Sequence, residues 1–126
     1  MEYSISIHRD YIRVDFHASP TVEMVLEIQQ TVSIGYPGQR RLYCLNGARF
    51  MFTVAELQLI AENAKGYPHP PDRVAIVTDN PISYETARLH RHYRNHSGTE
   101  EAIFHDEPAA AAWLCQPESP LYSDAL

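Results

Sequence analysis

Leu42-Tyr43-Cys44-Leu45-Asn46-Gly47-Ala48-Arg49-Phe50-Met51-Phe52-Thr53-Val54-Ala55-Glu56 holds three structural signals in succession. Leu42 to Leu45 is short and continuously apolar, as a strand covered on both faces should be. Asn46-Gly47 is a turn signal. Thr53 and Glu56 then stand at capping-box spacing, where each side chain can satisfy a free backbone N–H of a helix's first turn. Val54, Leu57, Ile60, Ala61 and Ala64 continue at helical spacing, and Gly66 is placed to end the helix. The stretch reads as buried strand, loop and helix start. In open α/β sheets the carboxyl ends of strands are where ligands commonly meet the protein.

The pattern extends in both directions. Tyr3 to Ile7 and Tyr11 to Phe16 each alternate with period two around His8-Arg9-Asp10, which predicts an antiparallel hairpin. Ser19-Pro20 offers a hydroxyl cap and a proline for the first helical position. Val22, Val25, Leu26 and Ile28 or Gln29 form the stripe of that helix, which fades near Val32 to Ile34, before Gly35-Tyr36-Pro37-Gly38. Tyr67-Pro68-His69-Pro70-Pro71 is a loop, because its prolines lack donors. Arg73 to Thr78 is a strand. Asn80-Pro81 opens a helix to about Asn95, stopped by Ser97-Gly98. Ala102-Ile103-Phe104 is a last short strand. Asp106-Glu107-Pro108 starts a final helix through Leu114, with acids at the positive end of its dipole.

Strands that alternate with helices favour a parallel sheet with right-handed crossovers. The expectation is an α/β domain over residues 1–115. Its mixed, mainly parallel sheet has about five strands, with about four helices, in the order β-β-α-β-α-β-α-β-α. Residues 116–126 lack periodicity and read as a loose tail.

Bulk properties narrow the function classes. The chain has 126 residues, 44% of them hydrophobic, enough for one packed core. Its net charge of −6 argues against a nucleic-acid binder. No apolar run reaches membrane-span length, and the first residues lack a basic start and an apolar core, so a cytoplasmic protein is expected. Cys44 and Cys115 are too few for a disulfide framework. Cys44, within a strand, reads as a small core residue.

The same segments, Leu42–Leu45, the Asn46–Met51 loop, Arg73–Thr78 and the ending Ile103-Phe104-His105-Asp106-Glu107-Pro108-Ala109-Ala110-Ala111-Ala112-Trp113-Leu114, resemble the SpoIIAA-like branch of the STAS superfamily. The resemblance spans roughly Tyr3 to Leu114. Its best marker is the closing strand followed by an acidic cap and Ala-x-Trp-Leu. It implies a binding or regulatory domain, and no enzymatic activity carries over from it. In the anti-sigma-factor antagonists of that superfamily, an Asp-Ser pair at a helix start is phosphorylated and switches partner binding. On this chain the phosphoacceptor falls on Thr53 and the acid position on Phe52, while a strand-end position often held by Asp is Cys44. SEC14-like lipid-binding folds, often grouped with this branch, imply a second role as carrier or sensor of a small apolar or anionic ligand.

Three candidate sites follow. Thr53 is either a phosphorylatable hydroxyl at a helix amino terminus or an ordinary cap. Arg49-Phe50-Met51-Phe52 either presents an apolar surface to a partner or ligand, together with Asn46 and Gly47, or folds under the next helix, with at least one large residue exposed. On the helix after Asn80, Ile82, Thr86, Leu89 and Tyr93 are expected to face the sheet. Arg88, Arg91 and His92, with Asn95, then form a basic outer face, which is either an anion or partner site or a solvated surface. His92 and His96 have the i, i+4 spacing of a metal pair but are too few for a site, so no metal is expected. No phosphate-cradling glycine loop, nucleophile elbow or cofactor motif appears. The partner, a protein or a small molecule, is not named by the sequence, and a homodimer is compatible with it.

Overall fold

Period-two alternation builds the first two strands. In the computed structural model, which describes residues 2–94 and 98–117, β1 (Tyr3–Ile7) pairs antiparallel with β2 (Ile12–Phe16). The His8 N–H donates to the Tyr11 carbonyl at 2.9 Å and closes the connection. There follow α1 (Val22–Gly35), β3 (Arg41–Cys44), α2 (Val54–Lys65), β4 (Arg73–Val77), α3 (Pro81–Arg94), β5 (Glu100–Phe104) and α4 (Glu107–Leu114). The fold is α/β, with a five-stranded mixed sheet in the order β1-β2-β3-β4-β5, and β2 to β5 run parallel. The element order is the one expected from the sequence.

The strand order never reverses. Right-handed crossovers between successive neighbours then put every crossover helix on one face. α1, α2 and α3 share that face, over a core that includes Ile12, Val14, Ile28, Val32, Leu57 and Ile76. α4 covers the other face, with Ala110 and Leu114 against Leu42, Cys44, Ala75 and Val77. The consequence for function is direct. Ligand crevices at carboxyl strand ends form where strand order reverses and adjacent helices part to opposite faces. The described sheet contains no such point. The topology therefore supplies no switch-point crevice above residues 46–53.

The caps are mostly where the residue types place them. Thr53 and Glu56 form a reciprocal capping box. The Asn80 carboxamide oxygen accepts from the N–H groups of Ile82 and Ser83, and Asp106 accepts from Ala109. One cap differs. α1 is capped by Thr21, whose hydroxyl accepts from the Met24 N–H, and Ser19-Pro20 lies outside the helix. α1 also runs on to Gly35, past the expected fade. Gly66 ends α2 without adopting a left-handed conformation.

Arginines tie α4 to the sheet. Arg73 donates to the Trp113 carbonyl at 2.8 Å and lies over the Trp113 ring. Arg40 donates to the Leu114 and Gln116 carbonyls and pairs with Asp72. Cations there complement the negative end of the helix dipole. The Arg40 guanidinium holds the Asp72 carboxyl below the usual carboxylate range. Cys44 is buried and Cys115 is exposed just past α4. Asn95, His96 and Ser97, and the expected tail from residue 118 onward, lie outside the described residues.

Candidate functional site

The loop after β3 is pinned at two points. Gly47 takes a φ of +84°, the left-handed turn that Asn-Gly signals. The Arg49 N–H donates to the Ser19 hydroxyl at 3.0 Å, and the Phe50 N–H donates to the buried Ser83 hydroxyl at 2.8 Å. These bonds fix the loop against α1 and α3. Phe50 is 7% exposed, and its ring meets Phe52 edge-on at 4.9 Å. Phe52 is half-buried, while Asn46, Gly47, Arg49 and Thr53 are exposed. Of the two readings of this segment, the fold-under one describes Phe50. Met51 is the large residue left in solvent, 54% exposed. The Thr53 hydroxyl accepts from the Glu56 N–H at 3.2 Å, a cap worth on the order of 1 kcal/mol.

α3 turns a different face inward from the one its apolar residues suggest. Ser83, Thr86, Ala87, His90 and Arg94 are buried. Ile82 and Leu89, expected against the sheet, are exposed. Arg88, Arg91 and His92 do lie on the outside, and Arg88 pairs with Glu85 at 3.3 Å. The loop meets α3 at Ser83 and His90 on its buried side, whereas Arg88, Arg91 and His92 lie on its exposed side. The loop and the basic face are therefore two places and not one site.

The inward face of α3 closes a cavity of about 60 Å³ between the sheet and the three-helix layer. A water needs roughly 10–15 Å³ counted this way, so roughly four to six fit. Most of the wall is apolar, including Phe16, Val25, Leu45, Phe50, Ile60 and Ile76. The remainder is charged. Arg41, Val74 and Glu101 stand opposite one another in register at the amino ends of β3, β4 and β5. His90 and Arg94 reach them from α3, and Gln29 from α1.

The charges are unequal. His90 Nδ1 lies 3.0 Å from the Glu101 carboxylate, the arrangement in which an Nδ1–H donates to a carboxylate oxygen. Burial lowers the Arg94 guanidinium, Glu101 and Tyr43 oppose that shift, and Arg41 adds to it. Arg41 is 5% exposed, and its recorded bond is a 3.3 Å donation to the Ser33 hydroxyl. No carboxylate among the described residues forms an ion pair with it. Its Nε and the His90 Nε2 are buried without a hydrogen-bond partner. Buried polar atoms in native folds are nearly always satisfied, and exceptions point to water, an ion or function. Glu101 is the one carboxylate among the described lining residues, against two arginines.

Among the described residues the lining contains no serine, threonine, cysteine or lysine, and its one hydroxyl is that of Tyr43. Among the described residues no group of three or more His, Cys, Asp or Glu could hold a metal. No described helix is long and apolar enough to cross a membrane. The sequence patterns single out neither Arg41, Arg94 and Glu101 nor this cavity; the usable signal is the polar stripe Ser83, Thr86, His90 and Arg94 at helical spacing. Comparison of the chain with protein-family models, curated proteins and solved structures finds no match.

Proposed function

We propose that the protein is a non-enzymatic binding domain that carries or senses a small ligand held in the cavity between the sheet and α1, α2 and α3. The observation that carries this reading is the two-ended cavity, with an apolar wall and, at its polar end, the Arg41 guanidinium, which forms no ion pair among the described residues. Small-molecule sites have this composition, mostly hydrophobic lining with few convergent polar groups. The absence of a serine, threonine, cysteine or lysine beside His90 among the described lining residues favours binding over catalysis. The element order and the mixed sheet also suit the SpoIIAA-like resemblance, which implies a binding or regulatory role rather than a reaction.

Ala64→Leu tests the reading. Ala64 lines the cavity near the end of α2, so a larger side chain there is expected to fill part of it. Filling of a void commonly stabilises by about 0.5–2 kcal/mol. The variant is expected to melt higher and to lose any ligand that the native protein carries through native mass spectrometry. A native protein that carries no adduct and shows no melting shift with small apolar or anionic probes rejects the reading.

Met51 and Val54, 54% and 50% exposed, favour a second reading in which the loop and α2 start dock a protein partner, as the resemblance implies. Met51→Asp is then expected to abolish partner capture from a lysate of the native cell without lowering the melting temperature. Unchanged capture removes this reading. In it, Thr53 remains the candidate phosphoacceptor, which phosphate analysis of the purified protein decides.

A further inference from the structure

The cavity's contents can be specified further, on the premise that it binds a ligand at all. Three features restrict the class. The first is charge. Arg41 is buried and forms no ion pair among the described residues, and the one described carboxylate of the lining, Glu101, is held by His90. A buried cation without a counter-ion is costly, and an anion that enters beside it recovers that cost. The second is geometry. The charged groups gather at one end, in the row Arg41–Val74–Glu101 and the adjoining turns of α3, while Phe16, Leu45 and Phe50 line the remainder. A phosphate or sulfate needs donors on all sides, whereas a carboxylate needs them on one and brings an apolar tail for the other. The third is shape. The Arg41 side chain carries five N–H donors and spends one on Ser33, leaving a planar edge of the kind that receives a carboxylate through two bonds.

We infer that the cavity takes a short monocarboxylate with an aliphatic tail, roughly four to six non-hydrogen atoms in all, anchored by the guanidinium of Arg41. Glu101 sets the cost of overfilling, since a second negative charge would face it directly. His90, held by Glu101, walls the polar end and gives the site its limit in that direction.

Calorimetric titration of the full chain with isobutyrate, isobutyramide and inorganic phosphate decides the matter. Isobutyrate and its amide share shape and differ in charge. The expected result is saturable binding of one isobutyrate, with the amide at least about tenfold weaker and phosphate weaker still. Arg41→Met, which removes a desolvated charge and keeps an unbranched chain, is expected to fold with an unchanged or raised melting temperature. It should bind isobutyrate about a hundredfold less tightly and leave amide affinity unchanged. If Arg41→Met does not fold, Arg41→Lys, which keeps the charge and loses the fork, is expected to weaken isobutyrate about tenfold. Equal affinity for acid and amide, or full affinity in either Arg41 variant, overturns the carboxylate while the ligand-binding reading stands. Phosphate that binds more tightly than isobutyrate overturns the monocarboxylate class. Silence from all three probes overturns this inference, and the adduct test on Ala64→Leu then judges the broader reading separately.

Discussion

Phe50→Asp is expected to unfold the domain. On the first of the two sequence readings, Phe50 sits in an exposed loop, and a carboxylate there would merely repel a partner. In the structure the ring is 7% exposed, packs edge-on against Phe52 and faces His90 at 6.4 Å. Its backbone N–H donates to Ser83, which is fully buried. Truncation of a buried phenylalanine costs about 3–5 kcal/mol. The substitution adds a carboxylate in an apolar setting, which must be neutralised or solvated at further cost. The sum approaches the whole stability of an ordinary domain, about 5–15 kcal/mol. Circular dichroism and urea titration should show loss of the cooperative transition, while Phe50→Leu retains one at lower urea. A Phe50→Asp protein with a native melting curve would return Phe50 to the surface and remove it from the cavity wall.

The elements were legible because their local chemistry agrees with the global fold. The capping box at Thr53, the Asn80 cap and the Asp106 cap each act through a side-chain oxygen on a backbone N–H, and spacing alone reveals them. The inward face of α3 was not legible for a physical reason. The helix has the right period, but the period is written in Ser83, Thr86, Ala87, His90 and Arg94. Small residues there let the helix approach the sheet, and long polar ones reach the cavity. An apolar count instead selects Ile82 and Leu89, which are exposed. β5 shows the same effect. Glu100 and Glu101 look like a solvated lead-in to Ala102-Ile103-Phe104, yet they begin the strand, and alternation sends Glu101 inward. Arg41 likewise lies just before the apolar run Leu42 to Leu45, yet it begins β3 and is buried. The Ser19 cap failed because Thr21, two residues on, reaches the Met24 N–H, leaving Ser19 to bind the loop instead. A site made of charges at inward positions is hidden from any reading that equates inward with apolar.

Glu101→Gln is expected to destabilise the protein by about 3–5 kcal/mol, the cost of breaking a buried charge pair by removing one partner. Glu101 is buried and bonded to His90, and it opposes the loss of charge that burial imposes on Arg94. Glutamine keeps the shape and one acceptor for His90, so the loss measures charge rather than packing. If the excess positive charge is the cause, removal of one cation should repair it. The double variant Arg41→Met/Glu101→Gln is therefore expected to be more stable than Glu101→Gln alone, with a coupling of about 0.5–3 kcal/mol in a double-mutant cycle. Added isobutyrate should also raise the melting point of Glu101→Gln more than that of the native protein, because the anion replaces the missing carboxylate. Urea denaturation of the four proteins, with and without the acid, reads both terms. A loss below about 1 kcal/mol, the range of exposed ion pairs, or a coupling of zero would mean that solvent already screens these charges, and the cavity's polar end would have no deficit for a ligand to fill.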